Sequence, residues 1–147
     1  MITEDFVSLE TAKLLKEKGF PQNPNICNTA YTFRGKLSNN AKSFVHNAAE
    51  FDKLGIKPLT YSMAPTLQMT MKWLREVHSL HIMVNCIGKV NYDPIIQRFD
   101  GKDFEVEGTV FGTTRQISSK LVDVRRGFKT YENACESAIR YCLENLI

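Results

Sequence analysis

Between residues 66 and 90 the spacing of apolar side chains changes once, and that change constrains the fold more than any other feature of the chain. At ~100° per residue, Leu67, Thr70, Met71, Trp73, Leu74, Val77 and His78 fall on one broad arc. Gln68, Lys72, Arg75 and Glu76 fall on the other. A helix with an apolar front and a complete polar back lays its front on a core. Pro65 suits the first turn of this helix, where a missing N–H costs nothing. The helix is expected to end near His78–Ser79. Beyond it "HIMVNCIGKV" alternates, so Ile82, Val84, Cys86 and Val90 share one face of a strand.

The same stretch concentrates possible metal donors: Met69, Met71, Met83, His78 and His81. The two histidines straddle the expected helix–strand junction, which removes the i, i+3 geometry that shared coordination needs. Three histidines in the chain leave few other ligands. Packing is the expected role of this segment; no metal and no cofactor are expected.

Local punctuation marks three more helices. Ser8 is a plausible N-cap with Val7 stapling onto Ala12, while Leu9, Ala12 and Leu15 share a face. Gly19 supplies a left-handed end, Phe20 folds back and Pro21 stops the helix. "NNAKSFVHNAAEFDKLGIKP" reads as a second helix, capped by Asn40 and closed by Gly55 with Pro58 beyond, its Phe44, Ala48 and Phe51 inward. Thr130 caps a final helix lined by Tyr131, Ala134, Cys135, Ala138, Ile139, Tyr141, Cys142 and Leu146. "AYTFRG" and "LTYSM" read as strands, and Asp100-Gly101 as a type I′ hairpin turn. Further strand is expected across 109–127 with a break at Gly112. Helices at the start, middle and end around several strands imply a single α+β domain over residues 1–147, with helices packed on an antiparallel sheet and a C-terminal amphipathic helix.

Composition removes several functions. Nineteen basic and sixteen acidic side chains leave a net charge of +3, too mild to argue for nucleic acid. No run of ~18 apolar residues suggests a membrane span. The start, "MITEDFVSLE", is acidic and lacks an apolar run of signal-peptide length, so a cytoplasmic protein is expected. Cys27, Cys86, Cys135 and Cys142 show neither a C-x-x-C pair nor zinc spacing and are expected to be reduced. No nucleophile elbow, H-E-x-x-H, P-loop or dinucleotide fingerprint occurs, so catalysis is not expected. His46 and Glu50 read as a surface pair on the second helix.

Three stretches, "FVSLETAKLLKEKGF" (6–20), "APTLQMTMKWLREVHSLHI" (64–82) and "TYENACESAIRYCLENLI" (130–147), resemble a family of small uncharacterised proteins of gut-anaerobe bacteria and their phages. The resemblance implies a phage or mobile-element origin and no known activity. It carries over no site residue, and residues 21–63 and 101–129 depart from it.

The one chemical-looking cluster is "GTTRQISSKLVDVRRGFK", residues 112–129. Arg115, Lys120, Arg125, Arg126 and Lys129 supply cations, Thr113, Thr114, Ser118 and Ser119 supply hydroxyls, and Gly112 permits close backbone approach. Guanidinium forks and hydroxyls are the groups that recognise phosphate. A solvated strand edge, where cations block aggregation, gives the same composition. Thr113, Thr114, Arg115, Lys120, Arg125 and Arg126 are the candidate ligand-binding residues. Phe33, Tyr61, Tyr92 and Phe111 are aromatic residues able to stack on a base, each expected instead in the core. The function expected is a non-enzymatic binding protein, in its concrete form an anti-defence sponge for a host nucleotide signal. The alternatives are a protein–protein adaptor or inhibitor of a host enzyme docking through 21–63, and a weak nucleic-acid binder. A homo-oligomer built on a dimer is expected, with Leu143, Ile147 and Met69 as extra apolar edges.

Overall fold

Three of the four helices in the described residues start at a side-chain cap on their third backbone N–H. The computed structural model describes residues 3–56, 60–87, 91–99, 106–107 and 128–147. Ser8 Oγ accepts from Thr11 N at the start of α1 (Leu9–Glu17). Asn40 does the same for Ser43 N before α2 (Ala41–Lys53), and Thr130 for Asn133 N before α4 (Tyr131–Asn145). Each cap satisfies a donor that a helix start leaves without an intrahelical partner. The remaining helix, α3, runs Leu67–His78 and begins two residues past Pro65. Pro65 therefore precedes the helix, and its carbonyl accepts from Val7 N at 3.0 Å.

The chain has an α+β fold in which every strand pairing among the described residues is antiparallel. Its contacts group into two compact units, Glu4–Thr66 and Leu67–Ile147.

In the N-terminal unit, β1 (Ala30–Tyr31) lies between β2 (Leu37–Ser38) and β3 (Ser62–Met63), and α1 packs on β3. Val7, Thr11, Ala12, Leu15, Phe20, Ala30 and Met63 are buried there. The strand expected across residues 30–35 stops at Tyr31, because Thr32 to Lys36 form a turn. Gly35 N donates to Thr32 O at 2.8 Å and Thr32 N to Lys36 O at 2.9 Å. Gly35 sits at φ +74°, a conformation that side-chain-bearing residues avoid. "LTYSM" yields only the two residues of β3 among those described. Phe44, Val45, Ala48 and Phe51 of α2 are half-buried, and only Ala41 is fully covered.

In the C-terminal unit, β4 (Leu80–Ile87) pairs along its whole length with β5 (Asn91–Phe99), from Leu80 opposite Arg98 to Ile87 opposite Asn91, and β5 pairs with β6 (Val106–Glu107). Ser79, at φ +56°, is the only non-glycine residue with positive φ among those described and ends α3 directly before β4. Both α3 and α4 pack on β4, α4 also covers β5, and the two helices touch. Leu80, Ile82, Pro94 and Ile96 meet Leu67, Thr70, Met71, Leu74, Ala134, Cys135, Ala138, Ile139, Cys142 and Leu143 as the buried set of this unit. At the far end, Arg98 Nη2 donates to Leu146 O at 3.0 Å, placing a cation where the dipole of α4 is negative.

Two readings of faces change. Val77 is 61% exposed, although the helical arc places it with the buried positions. Leu143, expected at an exposed margin, is fully buried, so it offers no edge to a second copy. The cause is that α4 touches β4, β5 and α3 at once, which widens its covered arc. Met69 and Ile147 remain half-buried. The Asp100-Gly101 turn, Val90, Pro58 and Phe111 lie outside the described residues, as does the strand expected across 109–127.

Candidate functional site

Thr113, Thr114, Arg115, Lys120, Arg125 and Arg126 lie outside the described residues, together with Gly112, Ser118 and Ser119. Lys129, the last cation of the cluster, is described, and its surroundings show where that run delivers the chain. Phe128 and Tyr92 exchange backbone hydrogen bonds of 2.8 and 3.0 Å, which fixes the end of the run against the start of β5. The exposed Lys129 Nζ donates to Asn91 Oδ1 at 3.1 Å. One residue later Thr130 caps α4.

Tyr131, the first residue of α4, joins this corner to α3. Its hydroxyl accepts from Gln68 Nε2 at 3.3 Å, and its ring stands edge-on to Tyr92 with centroids 6.3 Å apart. Gln68 is the second residue of α3, so the starts of α3 and α4 share one end of the unit with Lys129. Helix starts carry partial positive charge, and Lys129 adds to it. Glu132, in the first turn of α4, supplies one negative charge of its own. The hydrogen bond from Gln68 favours the Tyr131 phenolate, yet burial and the neighbouring Cys135 and Glu132 outweigh it and raise the hydroxyl above its ordinary value. Tyr131 thus keeps its proton.

Cys27, Cys135 and Cys142 are packing groups by the same test. Burial pushes Cys135 up to about 11 and, against the pull of Arg98, Cys142 up to about 12. Burial also raises Cys27, whose Sγ–H donates to Thr29 O at 3.3 Å. A thiol that holds its proton is a poor nucleophile and a poor ligand. Cys86 is exposed, and none of the four forms a disulfide.

The histidines separate as the junction requires. His78 ends α3 with its ring edge-on to Trp73, 4.6 Å between centroids, and its buried Nε2 has no hydrogen-bond partner. Burial lowers its pKa, so the neutral ring is favoured. His81 sits on β4 opposite Gln97, on the other face from Ile82. Among the described residues no group of three or more His, Cys, Asp or Glu side chains is placed to hold a metal ion. None of their helices is long and apolar enough to cross a membrane. Glu50 pairs with Lys53 at 2.8 Å, and this pair takes the place of the expected His46–Glu50 one.

The N-terminal unit exposes apolar side chains of its own. Of seven large apolar side chains that are exposed among the described residues, four fall between residues 26 and 56: Ile26, Phe33, Leu54 and Ile56. Phe33 is at the tip of the β1–β2 turn, 53% exposed, with the Arg34 guanidinium 5.3 Å from its ring centre. Its assignment to the core is therefore corrected. The sequence signal for this was Gly35, which marks a turn where a continuous strand was expected. Tyr61 and Tyr92 are half-buried. Comparison with protein-family models, with curated proteins and with solved structures finds no match.

Proposed function

We propose that this chain is a small non-catalytic binding protein that captures a phosphate-bearing small molecule at the end of the C-terminal unit where α3 and α4 begin. The observation that supports this reading is the position of Lys129. The basic run that starts at Arg115 ends on this residue, beside two helix starts. In its specific form the ligand is a host nucleotide signal and the chain is a sponge for it, the setting that a phage origin implies. The protein acts in the cytoplasm as a homo-oligomer built on a dimer.

Mass spectrometry of whatever is released from the purified, denatured protein tests the capture directly, and one nucleotide at stoichiometric yield is expected. A charge-assisted hydrogen bond contributes about 1.5–3 kcal/mol. Arg115→Ala or Lys129→Ala should therefore weaken nucleotide binding on the order of tenfold to a hundredfold, with little change in melting temperature. If Arg115→Ala, Arg125→Ala and Lys129→Ala all leave capture intact, the run is a solvated edge. Binding that collapses steeply with salt and extends to any oligonucleotide would point instead to a nucleic-acid binder. A monomer mass by light scattering at micromolar concentration would remove the dimer.

The alternative is a protein adaptor or inhibitor that docks a host enzyme through residues 21–63. The exposed Ile26, Phe33, Leu54 and Ile56 favour it, Phe33 most of all, since aromatic residues and arginine are enriched at interfaces and Arg34 lies beside its ring. It predicts protein purified without a nucleotide and a partner interaction that Phe33→Asp abolishes.

A further inference from the structure

We draw no further inference here: the strongest candidate, the edge that β4 presents among the described residues, eight residues with no lysine or proline to guard it against pairing, carries nothing because nothing in the structure shows what covers it.

Discussion

Helices α1 and α2 are built alike at both ends and differ in between. Each begins with a polar side chain accepting from the third N–H of the helix. Each ends with a left-handed glycine, Gly19 or Gly55, and the same pair of reversed hydrogen bonds. Phe20 N donates to Leu15 O and Gly19 N to Lys16 O; Ile56 N donates to Phe51 O and Gly55 N to Asp52 O. This paired closure usually brings a hydrophobic contact from the residue after the glycine. Phe20 makes good on it at 3% exposed, whereas Ile56 is 53% exposed and the adjoining Leu54 70%. The contrast teaches that local chemistry fixes where a helix starts and stops, while burial depends on what the rest of the fold brings to it. For α1 that is β3.

The largest test of this contrast is truncation of the two residues after the glycines. Phe20→Ala should cost about 3–5 kcal/mol, the range for a buried phenylalanine, while Ile56→Ala should stay within about 0.5 kcal/mol as surface changes do. Urea unfolding measures both, and equal losses would mean that the end of α2 is covered in solution. The N-caps come next. Ser8 Oγ also donates to the hydroxyl of the buried Thr11 at 3.1 Å, so Ser8→Ala should cost about 1–2 kcal/mol against roughly 0.5 for Asn40→Ala. A larger loss at Asn40 would reverse the ranking of the two helices. The smallest effect should also be the most even. A Cβ at Gly19 or Gly55 meets nothing within 4 Å, so Gly19→Ala and Gly55→Ala should each cost about 1 kcal/mol from the left-handed backbone alone. Unequal costs would show that the two ends differ locally after all.

What could be read from the sequence follows the same line. The caps at Ser8, Asn40 and Thr130, the glycine stops and the change of period at Ser79 are local signals, and the elements they bound are present. Faces were less legible because they depend on partners distant in sequence. Leu143 sat at the margin of one apolar arc and Val77 within another. The first is buried because α4 meets three elements, while the second lies on the exposed side of α3. Phe33 lies in "AYTFRG", which reads as one strand, and the turn at Gly35 ends that strand at Tyr31 and leaves Phe33 exposed. Of the candidate phosphate site, the cations were legible as composition. The meeting of the α3 start with that of α4 was not, since the Gln68–Tyr131 bond joins segments that no local pattern relates.

The single-residue joint at Ser79 also bears on the order in which the C-terminal unit can assemble. Because α3 passes into β4 there and β4 pairs along its length with β5, the contacts of residues 67–99 are close in sequence, and forming them closes only short loops. Helix α4 is different: Tyr131 must return to Gln68 and Leu146 to Arg98 across long intervening stretches of chain. Loop-closure entropy falls on those contacts, and topology of this kind sets folding rate more than stability. The expected order is a helix–hairpin that forms early and a terminal helix that docks late, its docking bringing the capped start of α4 beside that of α3.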